Sequence, residues 1–287
     1  MTIAMRQREV QCLSPVGFHR MAYVEWGDPT NPRVVVCVHG LTRCSRDFDF
    51  LAQSLARQYR VVCPDVVGRG RSDWLPNKSL YGVQQYSADL VTLLARLDVE
   101  SVDWLGTSMG GLIGMVLAAQ PRTPIRRLVL VDVGPVITAV SMARISEFVG
   151  KGPRFDSIEQ AETYIRVVAA PFGSLTDAQW RHLTEHSIKP AADGKFDLHY
   201  DPGIAAPFRA AMGEGKDYEV WQIYDLIRSP TRVLRGESSD VLTRETANEM
   251  AVRGPRAQLV EVPGVGHAPM LMDEAQVSLV REFLSSG

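Results

Sequence analysis

Two apolar rhythms alternate along the chain. Residues 19–27, "HRMAYVEWG", have strand character, and "GDPTNP" at 27–32 clusters turn-forming residues. "RVVVCVHG" at 33–40 is a continuous β-branched run of the kind buried on both faces of a sheet. "DFDFLAQSLARQ" at 47–58 then takes helical spacing. The alternation continues with a strand in "YRVVCPDVV", a helix in "GVQQYSADLVTLLARLD", a strand in "SVDWLG", a helix in "MGGLIGMVLAAQ" and a strand in "IRRLVLVDVG". Such a succession predicts a mostly parallel sheet with helices on both faces.

After Gly134 the rhythm breaks. From about Pro135 to Arg228 no clear strand is visible, and amphipathic patches are interrupted by Gly and Pro. "TRVLRG" at 231–236 restores the strand, followed by the helix "RETANEMAVRG", the strand "AQLVEVPG" and the helix "DEAQVSLVREFL". The pattern predicts a core from residues 1–134 and 229–287, with a helical lid, 135–228, inserted between two sheet strands.

With 287 residues, 45% of them hydrophobic and 22% charged, one α/β domain with an insertion has ample core material. The formal charge of −2 supplies no basic field for nucleic acid, which is not expected as a partner. "MTIAMRQREVQC" lacks the apolar run of a secretory signal, and no stretch has the length of a membrane span, so a cytoplasmic location is expected. Cys12, Cys37, Cys44 and Cys63 lack C-x-x-C spacing, and buried thiols are expected of them.

The chemistry centres on "LGTSMGG" at 105–111. Gly106, Ser108 and Gly110 form G-x-S-x-G where a predicted strand meets a predicted helix. There the serine takes a strained backbone, at a cost of about 1–3 kcal/mol, and presents Oγ at a helix N-terminus. As a mere N-cap Ser108 would need no base, yet the chain supplies one. His267, in "PGVGHAP" after the last predicted strand, stands where a Gly-rich loop can bring its imidazole to Ser108. Asp240 in "LRGESSD" is the preferred acid to orient it; Glu237 in the same loop and Asp132 in "VDVG" are the alternatives. The N–H groups of Met109 and Leu41 are the expected oxyanion donors, and His39 is expected to be structural. No strong anion clamp stands out: Arg43, Arg144 and Arg209 could each reach a carboxylate, but surface pairing is the commoner role.

Taken together, "VHGLTR" (38–43), "PDVVGRGRSD" (64–73), "GTSMGG" (106–111), "LRGESSD" (234–240) and "GVGHAP" (264–269) resemble the α/β-hydrolase family, in family order and outside the central insertion. The resemblance implies a mostly parallel eight-stranded sheet, a cap inserted after strand six, a triad of Ser108, Asp240 and His267, and no cofactor. Gly68, Gly70 and Ser72 look like the family's tight turn. Epoxide hydrolases and haloalkane dehalogenases of this fold carry aspartate at the place of Ser108 and are disfavoured. Carbon–carbon hydrolases resemble the chain in "SMGG" but usually have tryptophan where it has Ala268; cofactor-free haloperoxidases share "GHAP".

The expectation is a serine hydrolase that cleaves small-molecule esters or thioesters of small to medium acyl groups through an acyl-enzyme. Carbon–carbon hydrolysis, haloperoxidase-like activity and a non-catalytic receptor are the alternatives. Phe148, Phe155, Tyr164, Phe172, Trp180, Phe208, Met212 and Trp221 are the lid's candidates for an acyl pocket, two or three of them touching substrate. "HLTEH" at 182–186 matches the zinc-protease pattern H-x-x-E-H, but it lies in the lid and shows no third ligand, so no metal is expected.

Overall fold

The computed structural model describes residues 4–211 and 215–286. Its centre is an eight-stranded sheet of β1 (Met5–Ser14), β2 (Gly17–Trp26), β3 (Val34–Val38), β4 (Arg60–Pro64), β5 (Val102–Thr107), β6 (Ile125–Val131), β11 (Thr231–Gly236) and β12 (Gln258–Val262). Their spatial order is β1-β2-β4-β3-β5-β6-β11-β12. β2 pairs antiparallel with β1 and β4, and every other pairing in the sheet is parallel. The mostly parallel sheet anticipated from the apolar runs is therefore present, with one strand more than the pattern predicts. β1 is that strand. Most of its side chains are partly or fully exposed, so it lacks the apolar run that marks the interior strands.

Alternation along β3 explains the two-sided core. Val34, Val36 and Val38 face one layer, where Leu90 and Leu93 of α2 (Val83–Arg96) and Ile113 of α3 (Met109–Ala118) pack. Val35 and Cys37 face the other, against Leu51 and Leu55 of α1 (Asp49–Leu55) and Val280, Phe283 and Leu284 of α10 (Glu274–Ser285). All four cysteines are buried.

Between β6 and β11 the chain leaves the sheet. It forms α4 (Ala139–Ser146), α5 (Ile158–Val168), α6 (Asp177–Ser187), α7 (Ala205–Ala211) and α8 (Trp221–Tyr224). The expectation of no strand here needs correction: β7 (Val136–Ile137) pairs with β10 (Tyr218–Glu219), and β8 (Ile188–Pro190) with β9 (Phe196–Leu198). Ladders of two or three residues are too short to give a readable alternation. Phe155, Ile165, Trp180 and Leu183 make an apolar cluster of this segment's own, closed by Met270 and Met272. After β11 come α9 (Arg244–Met250), β12 and α10. Among the described residues no helix is long and apolar enough to cross a membrane.

The strand order reverses around β3, whose neighbours are β4 and β5. The carboxyl ends of β3 and β5 thus flank a crevice of the kind where open α/β sheets place their sites.

Candidate active site

Ser108 links β5 to α3 with φ 52 and ψ −115, the left-handed backbone that the sequence motif predicts. Its neighbours must be glycine for a measurable reason. A Cβ on Gly106 would lie 2.2 Å from the Gly110 carbonyl oxygen, and one on Gly110 would lie 2.0 Å from that of Val38. Parallel pairing of Thr107 with Val131 then sets Ser108 beside the end of β6, and the Ser108 N–H donates to the Val131 oxygen at 3.0 Å.

His267 reaches this point from the loop after β12. Gly236, the last residue of β11, lets that loop lie against the strand: a Cβ there would be 2.1 Å from the Gly266 oxygen. The Ser108 hydroxyl stands 3.0 Å from Nε2 of His267, and Nδ1 of His267 donates to Oδ2 of Asp132 at 2.7 Å. Asp132 is fully buried at the end of β6. It also accepts from the Gly236 N–H at 2.8 Å and the Ser239 hydroxyl at 2.6 Å. Those two donors stabilise a buried carboxylate and fix its orientation.

The structure does not bring Asp240, the expected acid, to His267. Its side chain is 46% exposed and accepts from Nε and Nη2 of Arg144 at 2.5 and 2.8 Å. The turn after β11 presents Ser239 inward and carries Asp240 outward. Glu237 is exposed too and accepts from the Gly264 N–H. Of the three candidates, Asp132 is the one in contact with His267.

Leu41 follows β3 and lines the same cavity as Ser108, while Met109 opens α3. Arg69, which the sequence reading left without a role, is fully buried beside both. Its Nε donates to the Leu41 carbonyl at 2.7 Å, its Nη1 to the Tyr86 hydroxyl at 2.9 Å, and its Nη2 lies 3.6 Å from the Met109 sulfur. It sits between Gly68 and Gly70 in the tight turn, where only its place inside that motif could have marked it. His39 is also fully buried: Nδ1 donates to the Gly40 carbonyl at 2.7 Å and Nε2 accepts from the Val66 N–H at 2.9 Å. Burial pushes its pKa down to about 4, so the imidazole is neutral and holds the loop.

The cavity above Ser108 encloses about 190 Å³, below the range typical of drug-sized ligands. Of the aromatic candidates in the insertion, Phe148, Tyr164 and Phe172 line it. Phe155 and Trp180 pack inside the segment, Trp221 packs on Tyr224, Phe208 is half-buried off the cavity, and Met212 lies outside the described residues.

"HLTEH" does find a third side chain. His182 and His186 on α6 meet Asp49 of α1, with His182 Nε2 3.6 Å from Asp49 Oδ2. That carboxylate is already held by Nε of Arg46 at 3.0 and 2.8 Å, and Glu185, the pattern's acid, is exposed. A guanidinium on the only anionic ligand opposes a second cation, so the donor set does not fit a metal as it stands. Burial lowers the His186 pKa to about 4.

Fold and relatives together describe a hydrolase. The chain belongs to the alpha/beta hydrolase family, whose sequence model matches residues 35–279. It is 50% identical over 291 residues to the 3-hydroxybutyrate-oligomer hydrolase of Cupriavidus necator, with 99% of each chain covered. An alpha/beta hydrolase from Novosphingobium aromaticivorans superposes with a TM-score of 0.86 at 35% identity, covering 98% of each chain. E-2-(acetamidomethylene)succinate hydrolase shares the fold, with a TM-score of 0.84 at 20% identity over 98% of this chain and all of that one.

Proposed function

We propose that the protein is a serine esterase for short hydroxyacyl esters, with Ser108, His267 and Asp132 as its triad. The observation that carries this reading is the continuous chain of contacts from the Ser108 hydroxyl through His267 to buried Asp132, at 3.0 and 2.7 Å. His267 Nε2 takes the hydroxyl proton as Oγ attacks the ester carbonyl carbon, and the N–H groups of Leu41 and Met109 hold the oxyanion. Collapse breaks the carbon–oxygen bond of the leaving alcohol, which takes the proton back from His267. Water, deprotonated by the same imidazole, then attacks the acyl-enzyme and releases the acid and free Ser108. Asp132 stabilises the imidazolium in both halves. His39 holds the Gly40 carbonyl, which shares a peptide plane with the Leu41 N–H and so aims it, while Arg69 fixes the Leu41 carbonyl behind it.

The segment 135–228 serves as the cap that closes the acyl pocket. The small cavity supports short acyl groups, and the named activity of the Cupriavidus relative supports hydroxyacyl esters. The test is a panel of p-nitrophenyl esters from acetyl to decanoyl, a 3-hydroxybutyrate dimer and butyryl-CoA, run on wild type and Ser108→Ala. Turnover should be fastest on the short esters and the dimer and fall by at least about a thousandfold in the variant. Undiminished turnover by Ser108→Ala would refute the reading.

A further inference from the structure

We propose that Arg144 is a carboxylate anchor, binding the free acid group on the alcohol portion of the ester in place of Asp240. The inference rests on the esterase reading above and names the substrate class of the same cavity: esters of hydroxy acids whose far end is a free carboxylate.

Besides the phenols of Tyr164 and Tyr200, the ionisable residues lining the cavity are Arg43, Asp47, Arg144 and His267. Each nitrogen of the Arg43 guanidinium already has a partner: Nε and Nη2 donate to Asp47 at 2.8 and 2.6 Å, and Nη1 to Ser187 at 2.8 Å. The pair is largely buried, and separating it would strand both charges away from water. Arg144 differs in each respect. It lies on α4 and lines the cavity together with Ile145 and Phe148 of the same segment, whereas its counter-ion Asp240 approaches from the loop after β11 and does not line the cavity. Both members of that pair are partly exposed, at 36% and 46%, and pairs so exposed are held weakly.

A guanidinium fork matches one carboxylate as well as another. A substrate acid group entering the cavity can therefore exchange with Asp240 without leaving Arg144 unpaired, and Asp240 returns to solvent. Nη1 of Arg144 has no partner among the described residues and supplies a further donor. In a hydroxy-acid oligomer the alcohol portion of the ester nearest the acid end already carries the free carboxylate before cleavage, and hydrolysis generates a second one on the acyl portion. Such substrates carry the group that Arg144 would select, and neutral esters of the same length do not.

The experiment compares kcat/KM for the 3-hydroxybutyrate dimer as its free acid and as its primary amide, for wild type, Arg144→Met, Arg144→Lys and Asp240→Asn, with circular dichroism on each variant. Wild type should prefer the acid by about three- to tenfold, the net gain of a partly exposed pair that forms as the one with Asp240 is given up. That preference should collapse in Arg144→Met, survive in part in Arg144→Lys, and grow through a lower KM for the acid in Asp240→Asn. Equal use of acid and amide by wild type, or a preference that persists in Arg144→Met, overturns the anchor while the esterase reading stands. Should Arg144→Met lose its fold, Asp240→Asn decides: an unchanged KM for the acid is fatal to the proposal. Amide turnover that persists in Ser108→Ala would instead strike the esterase reading, and turnover of neither dimer by wild type removes both.

Discussion

At the scale of single residues, Asp132 and Asp240 are separated by the direction in which each turn sends its carboxylate, one to His267 and the other to Arg144. Both follow the carboxyl end of a sheet strand, β6 and β11, where a triad acid has to be. Spacing along the chain cannot tell which side chain turns inward, because that depends on the turn each strand makes. Asp132 has φ 54 and is covered by Ser239 and the Gly236 N–H, whereas one residue beyond Ser239 the chain has already turned to solvent. Ser108 and His267 were legible because glycines frame them; Arg69 was not, since a buried arginine between two glycines reads as surface charge. His39 carries a pH prediction. Its folded pKa, about 4, lies below the ordinary 6.5 because burial disfavours the imidazolium. Between those values the unfolded chain binds a proton that the folded chain refuses, so stability falls as pH drops through the window and is unaffected above it. The loss should reach about 3 kcal/mol near pH 4. Urea unfolding from pH 7 to 4 should show this slope together with the one His186 contributes, and His39→Gln should make it shallower; an equal slope in the variant contradicts the assignment.

At the scale of elements, the interior strands and the main helices were readable because burial on both faces forces long apolar runs, as in β3 and β6. β1 and the short ladders of the insertion were not, for the opposite reason: they are exposed or too brief to impose a pattern. The turn between β5 and α3 is the element on which the proposed chemistry depends, and its tolerance is set by contact distances. Gly110→Ala must move backbone, because the new Cβ would meet the Val38 oxygen at 2.0 Å. We predict a melting temperature several degrees lower and turnover reduced about a hundredfold, through displacement of Oγ from Nε2. Gly82→Ala, at the start of α2 with nothing within 4 Å of the added carbon, should cost less than about 1 kcal/mol and leave turnover close to wild type. Equal behaviour of the two variants would mean that the turn is not under the constraint described.

At the scale of the whole molecule, the site is assembled from four separate places in the chain. The ends of β3, β5 and β6 and the loop after β12 meet because the strand order puts β3, β5 and β6 side by side and β11 carries the β12 loop back over them. The insertion completes the enclosure: α4 and α5 contribute Arg144, Ile145, Tyr164 and Ile165 to the cavity wall, and the Pro171 carbonyl accepts from the Gly266 N–H next to His267 at 2.7 Å. The broken rhythm sets the segment between β6 and β11 apart from the sheet strands, but its internal packing is not legible, since amphipathic helices do not specify their partners. The convergence of Ser108, His267 and Asp132 is the claim on which the functional account depends. Its most direct test is the kcat of Asp132→Asn set against that of Asp240→Asn on one neutral short-chain ester. We predict that Asp132→Asn is slower by about a thousandfold or more, because His267 loses the carboxylate that fixes its tautomer. A crippled Asp240→Asn beside an active Asp132→Asn would contradict the account.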